Sequence, residues 1–212
     1  MPDAALFAQK LDSALKAEQK KRRHFYEIVE ENKKMEFING EIIFHSPVKL
    51  QHNRATLLLA KLLDTFVSKH KIGVVGVEKL LISLTRNAYE PDICFFGIEK
   101  SRKFKRNQMQ FPAPDFVVEV LSDSTEKNDR ETKFQDYAAH GVQEYWIIDA
   151  EKQTVEQYFL QNERYELLLK SKSGEINSVV LPDFKIPIRS VFDETENVKT
   201  LNYLINGKDL LP

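Results

Sequence analysis

The chain has 212 residues, of which 42% are hydrophobic and 30% are charged, as in folded globular proteins and unlike disordered ones. A chain of this length can bury a sizeable core in one domain. Its formal net charge of −1 excludes a uniformly basic nucleic-acid-binding protein but permits a local basic patch.

The single cysteine, Cys94, excludes an internal disulfide and a cysteine-based zinc site, and we interpret it as a core residue. The sequence has no apolar stretch of about 18 residues. Residues 1–35 are too charged for a signal peptide. We therefore expect a cytoplasmic protein with no membrane partner.

Residues 4 to about 34 are predicted to be helical, as one long helix or two short ones, with Asp3 as the cap. Apolar residues recur at helical spacing in its first half, namely Phe7, Leu11, Ala14 and Leu15. This stripe needs cover, so we expect it to pack on its own core or on a second subunit, with a homodimer preferred. Residues 1–34 are interpreted as an N-terminal helical extension, and residues 35–212 as the main domain.

A hairpin is predicted at residues 35–44, because Asn39-Gly40 is a strong two-residue turn signal between two apolar runs. A helix follows at about 50–69. Strands are predicted at about 74–84, 93–96 and 116–121, with a loop or irregular insertion over 99–114.

A third helix is expected to begin between residues 124 and 129 and to end before Gly141. A strand at 145–148 and a hairpin formed by 155–160 and 165–169 come next. The C-terminal part is predicted to be an irregular edge, polar over 193–199, with a short helix near 200–205. The whole pattern predicts a mixed α/β domain with helices packed on a central sheet.

One charged residue stands inside a strand that is otherwise apolar. Glu119 lies in the run Asp115 to Leu121, the pattern of a strand buried on both faces. Burying an ionised carboxylate without a partner destabilises a fold by roughly several kcal/mol. Upstream, Asp92 leads directly into the apolar run 93–96, and downstream Lys133 falls on a predicted helix.

Two carboxylates on neighbouring strands can hold Mg²⁺ or Mn²⁺, with waters and substrate phosphates completing the shell. Arg130, Lys133 and Tyr137 are spaced to share one helix face, and Lys133 would orient water or stabilise phosphate charge. The alternative is structural: Glu119 forms a salt bridge with Lys133 or Arg130, and Asp92 caps a turn after Pro91.

The sequence resembles the Uma-type putative restriction endonuclease family, a branch of the PD-(D/E)XK nuclease superfamily. The resemblance spans roughly residues 25 to 190. Its motifs are, in chain order, 36–42, Ser46-Pro47, His52, Pro91-Asp92, 118–122, Asp129-Arg130 with Lys133, Tyr137 and 141–149.

This resemblance implies a restriction-endonuclease-like mixed β-sheet core flanked by helices, with Asp92 and Glu119 as metal ligands. The superfamily's lysine, expected two residues after the glutamate, is replaced by Leu121, and the family pattern maps it onto Lys133. Glu36 or Glu41 would add an acidic group. The implied activity is a Mg²⁺- or Mn²⁺-dependent endonuclease, a hydrolase of phosphodiester bonds in DNA.

Other residues have weaker predicted roles. His52, Arg130 and Tyr137 are candidates for substrate contact or hydrogen bonding. A basic cluster around Phe104 suits phosphate contacts and base stacking, or is a solvated insertion; its members are Lys100, Arg102, Lys103, Lys105 and Arg106. The alternative function is a non-catalytic nucleic-acid-binding or assembly module that keeps the nuclease fold.

Overall fold

The computed structural model describes residues 3–29 and 33–207. Its helices are α1 (Ala4–Ile28), α2 (Leu50–His70), α3 (Ile98–Ser101), α4 (Glu126–Arg130), α5 (Thr132–Ala139) and α6 (Glu194–Asn206), with a 3-10 helix at Ile188–Val191. Its strands are β1 (Met35–Ile38), β2 (Glu41–Phe44), β3 (Gly73–Val77), β4 (Leu81–Ser83), β5 (Ala88–Tyr89), β6 (Ile93–Gly97), β7 (Gln110–Phe111), β8 (Phe116–Val120), β9 (Glu144–Asp149), β10 (Thr154–Gln161), β11 (Arg164–Ser171), β12 (Glu175–Asn177) and β13 (Lys185–Pro187).

Two large mixed sheets form the fold. The six-stranded sheet has the order β11-β10-β9-β8-β6-β3, in which only β8 and β9 run parallel. The five-stranded sheet has the order β2-β1-β5-β4-β7, and β12 pairs with β13 separately. The mixed α/β class is therefore confirmed, although two large sheets replace the one central sheet that we expected.

The six-stranded sheet is covered on both faces, which explains the apolar runs of its central strands. Alternate residues of β8 point to opposite faces. Phe116, Val118 and Val120 join a core with residues of α2 and α6. Val117 faces the other way, into a core with residues of α5 and the five-stranded sheet. Glu119 follows the alternation of Val117 and so points toward α5.

Helix α1 is anchored only along its C-terminal half. Phe25 is fully buried against Phe37 of β1, and the Arg22 guanidinium donates to the carbonyls of Leu84 and Thr85. In the other half Phe7 remains 72% exposed. One continuous helix is thus present where one or two were expected, and the Asp3 side chain makes no capping hydrogen bond.

The hairpin β1–β2 and the helix α2 are confirmed. Asn39 and Gly40 both have positive φ, 51° and 84°, as a type I′ turn requires. The hairpin β10–β11 is also present, with Asn162 and Glu163 at its turn. Cys94 is buried, as expected, and burial raises the pKa of its thiol to about 12.

Several predicted elements were wrong in extent. The single strand at 74–84 is two strands, because Glu78 and Lys79 both adopt φ of 48° and send β3 and β4 into different sheets. The region 99–114 contains α3 and β7 rather than only loop.

The third predicted helix is divided into α4 and α5 at Glu131, whose ψ is −74°. The polar stretch 193–199 is helical, because the Asp193 side chain accepts from the Glu196 amide at 3.0 Å and starts α6 there. No helix in the described ranges combines the length and apolar character needed to cross a bilayer.

Candidate active site

Glu119 lies in β8, and Asp92 immediately precedes the neighbouring antiparallel strand β6. Ile93 of β6 pairs with Val118 of β8, the last pair of this ladder, so we expect Asp92 and Glu119, one residue further on, to lie near each other. Directly opposed residues of an antiparallel pair project from the same face. The backbone donor to Asp92 is Val120, whose amide lies 2.8 Å from Oδ2, so Asp92 is held across the sheet rather than by the turn after Pro91.

Lys133 of α5 sits in the centre of a buried group of carboxylates. Its Nζ lies 3.0 Å from Glu36 Oε1, 3.1 Å from Glu119 Oε1 and 3.1 Å from Asp129 Oδ1. The lysine is only 2% exposed, and the three carboxylates are buried as well. The Tyr137 hydroxyl, one turn along α5, donates to the same Glu119 oxygen at 3.3 Å.

The β1–β2 hairpin supplies a second lysine to the site. Lys34 and Glu36 are two residues apart and so share one face of the hairpin. Glu36 reaches Lys133, while Lys34 Nζ lies 3.1 Å from Asp92 Oδ1. His45, opposite Lys34 in the hairpin, places its Nε2 3.1 Å from Glu36 Oε2.

His52 of α2 connects Asp92 with a solvent cavity. Its Nε2 lies 3.3 Å from Asp92 Oδ2, and its buried Nδ1 has no hydrogen-bond partner. His52 also lines a cavity of about 160 Å³ together with Lys49, Leu121, Ser122 and Asp149. The Asp92 carboxylate is therefore one side chain away from the cavity.

Burial and charge shift the pKa values of the carboxylates in opposite directions. Burial raises the pKa of Glu119 well above its ordinary value; nearby Asp129, Asp92 and Glu36 add to the rise, and Lys133 only partly offsets it. Burial also raises the pKa of Asp129. For Asp92, burial is outweighed by His52, Lys34 and the Val120 amide, which together lower its pKa.

Burial opposes the charge on Lys133, but Glu119, Glu36 and Asp129 outweigh it and raise its pKa well above the ordinary value. Lys133 therefore stays protonated at neutral pH. It cannot serve as a general base, but it can hold negative charge in place.

Carboxylates outnumber lysines in the site. Four buried carboxylates, Glu36, Asp92, Glu119 and Asp129, face the two ammonium groups of Lys34 and Lys133. The buried Oδ1 of Asp129 has no hydrogen-bond donor, although the Lys133 ammonium is near. Oxygen-rich surroundings of this kind suit a hard divalent cation.

The fit is limited by ligand number. Within residues 3–29 and 33–207, no group of three or more His, Cys, Asp or Glu side chains could hold a metal ion. A Mg²⁺ ion here would depend on two carboxylates, with waters and phosphate oxygens supplying its other ligands.

Several predicted site residues lie elsewhere. Glu41 is exposed and pairs with Lys21. Arg130 is not on the face that carries Lys133 and Tyr137, because the break at Glu131 turns it away; it forms ion pairs with Glu126 and Glu156.

The basic cluster is only partly available. Lys100 pairs with Asp115, and Arg102 pairs with Glu99. Phe104 is partly buried and packs edge-to-face on Phe96 at a centroid distance of 5.0 Å, and its stacking on bases stays a prediction. Lys103, Lys105 and Arg106 remain exposed.

Three contributors were missed from the sequence. Asp129 carried a signal, since it precedes Lys133 by four residues and so faces it on a helix. Lys34 stands two residues before Glu36, the spacing of one strand face. His45 had no local signal, because its position depends on how the hairpin folds back.

Comparisons with known proteins identify the family of the chain. A family model described as "Uma2: Putative restriction endonuclease" matches residues 3–189. An uncharacterized protein of Synechocystis sp. is 34% identical over 148 residues, 68% of this chain and 82% of the relative.

A crystal structure described as a putative nuclease from Anabaena variabilis has a TM-score of 0.67 and 22% identity, covering 79% of this chain and 94% of that one. At this identity it shows the fold alone. The family match begins at residue 3 and so includes α1, which corrects the start near residue 25 that we assigned to the resemblance. The chain belongs to the Uma2 family of putative restriction endonucleases.

Proposed function

We propose that the protein is a divalent-metal-dependent endonuclease that hydrolyses phosphodiester bonds of DNA. Asp92 and Glu119 are the proposed metal ligands, and Mg²⁺ or Mn²⁺ the proposed cofactor. The observation that carries the proposal is that Asp92 and Glu119 are both buried and close: the Val120 amide, next to Glu119, donates to Asp92 at 2.8 Å, and the Asp92 charge raises the pKa of Glu119. Membership of a family described as restriction endonucleases supports the reaction class.

A bound Mg²⁺ or Mn²⁺ would supply Lewis acidity and lower the pKa of a water nucleophile. The protein's own groups hold the carboxylates in position. The Val120 amide and His52 hold Asp92, while Tyr137 and Lys133 hold Glu119. Lys133 also favours the ionised form of Glu119, which is the form that binds a cation.

Cleavage of supercoiled plasmid DNA in Mg²⁺ or Mn²⁺ tests the proposal. Asp92→Asn removes the charge but keeps an oxygen for the Val120 amide, so the fold should survive while nicking falls by about 10²-fold or more. The matched control is Asp183→Asn, the same change at an exposed turn. Equal nicking by wild type and Asp92→Asn, or nicking that persists in EDTA, would overturn the metal assignment.

A non-catalytic binding or assembly module is the second candidate. It is favoured by the ion pairs themselves, because Lys34 and Lys133 already neutralise Asp92 and Glu119 without a metal. Such a module would bind DNA in EDTA as well as in Mn²⁺ and would show no metal-dependent cleavage.

We also propose a homodimer formed through the N-terminal half of α1. Leu6, Phe7, Leu11 and Leu15 of this half are all exposed, so the alternative that the stripe packs on its own core was wrong. Two such faces would cover each other, and a twofold dimer would supply two active sites for a double-strand break.

Lys103, Lys105 and Arg106 are proposed to contact the DNA backbone.

A further inference from the structure

Lys133 is poorly placed to contact a substrate. Glu36, Glu119 and Asp129 surround its ammonium, and the side chain is only 2% exposed. A phosphate would have to displace these carboxylates, which would also repel it. The role of Lys133 is therefore to hold the acidic residues together.

Lys34 differs from Lys133 in its exposure and in the number of carboxylates that it contacts. Its side chain is 19% exposed, and its ion pair is with a single carboxylate oxygen, Asp92 Oδ1 at 3.1 Å. The other Asp92 oxygen is held by the Val120 amide and faces His52, which lines the cavity. Lys34 is thus the partly exposed lysine beside the proposed ligand Asp92.

A divalent cation and the Lys34 ammonium compete for the same carboxylate, that of Asp92. Two positive charges at one carboxylate repel each other. A cation bound to Asp92 therefore displaces the Lys34 ammonium toward solvent. A nucleic-acid phosphate close to Asp92 offers the released ammonium a new partner, since lysine binds phosphate as a flexible point charge.

We propose that Lys34 contacts a phosphate of the bound nucleic acid beside Asp92 and exchanges its partner from Asp92 to that phosphate. This inference rests on the proposed function. It assigns two opposite effects to one residue: in the free protein Lys34 opposes cation binding, and in the complex it favours nucleic-acid binding.

The test measures both effects on Lys34→Gln. Fluorescence anisotropy with a labelled DNA duplex in Ca²⁺, at several salt concentrations, gives the Kd and its salt dependence. We expect the Kd to rise roughly five- to tenfold and the slope of log K against log salt to fall by about 0.9, the value of one phosphate contact. Calorimetric titration with Mn²⁺ in the absence of DNA should show tighter binding by the variant.

Two controls accompany this variant. Lys34→Arg keeps the charge and should retain the wild-type salt slope. Lys172→Gln removes an exposed lysine just after β11, at the edge of the six-stranded sheet, and should change neither Kd nor slope.

The outcomes separate the two proposals. A wild-type protein that binds neither DNA nor Mn²⁺ overturns the proposed function, and this inference with it. A wild type that binds both, with Lys34→Gln unchanged in Kd and slope, overturns the inference alone. Tighter Mn²⁺ binding with unchanged DNA binding would likewise make Lys34 only a counter-ion of Asp92 and overturn the phosphate contact.

Discussion

Lys133→Met should destabilise the fold because it leaves three buried carboxylates without their shared cation. Met keeps most of the lysine's bulk, so the change isolates the charge. Glu36, Glu119 and Asp129 lose ion pairs of 3.0–3.1 Å in a buried environment. Removing one partner of such a group typically costs about 3–5 kcal/mol.

A second estimate agrees with the first. The variant can relieve the repulsion by protonating Glu36, whose ordinary pKa is 4.5 and whose pKa Lys133 helps to lower to about 2 in the wild type. Holding one such carboxyl protonated at pH 7 costs roughly 3 kcal/mol, because each pH unit above its pKa is worth about 1.4 kcal/mol. We therefore expect the free energy of unfolding at pH 7 to fall by about 3–5 kcal/mol.

The loss of stability in Lys133→Met should depend on pH. Lys133 lowers the pKa of Glu36, Glu119 and Asp129 in the folded wild type, so its removal raises these pKa values and folding of the variant takes up more protons than folding of the wild type. The variant's deficit should therefore shrink as the pH falls from 8 toward 5.

Urea unfolding followed by circular dichroism at several pH values measures both effects. Lys199→Met is the control, since Lys199 makes an exposed ion pair with Glu196 at 2.8 Å, and its unfolding midpoint should stay nearly unchanged. A Lys133→Met protein as stable as wild type at pH 7, or one equally destabilised at every pH, would refute this reasoning.

Two further predictions concern stability and assembly. Glu144 is fully buried, and its carboxylate accepts hydrogen bonds from Trp146 Nε1, Gln157 Nε2, Ser178 Oγ and the amides of Val179 and Val180. Glu144→Gln places an NH2 donor opposite some of these donors, so the free energy of unfolding in urea should fall by about 3 kcal/mol. An unchanged unfolding midpoint would contradict this prediction. Light scattering should give about twice the chain mass of 24.7 kDa for wild type and one chain for Leu11→Asp, whereas a monomeric wild type would refute the α1 dimer.

Local sequence signals predicted most elements of the fold. Asn39-Gly40 specified the first hairpin, and the apolar stripe of α2 specified its longest buried helix. Long-range arrangement was harder. No local sequence signal predicts that the positive φ values of Glu78 and Lys79 separate β3 and β4, or that Glu131 interrupts a helix.

The site shows the same division. Glu119 was conspicuous because a charge interrupts a buried strand, and Lys133 and Tyr137 followed from helical spacing. Glu41 was a plausible acid by motif, but it follows the turn of the hairpin and faces solvent. Lys34 reaches Asp92 because β1 pairs with β5, which shortly precedes Asp92 in the chain, and the two contacting residues are 58 positions apart.

The most direct test of the account is the position of a bound metal. Crystals soaked in Mn²⁺ should give an anomalous diffraction peak between Asp92 and Glu119, with oxygen–metal distances of about 2.1–2.2 Å and Lys34 withdrawn from Asp92. A structure at high Mn²⁺ with no peak there, and with Asp92 and Glu119 still paired with Lys34 and Lys133, would contradict the metal-dependent site.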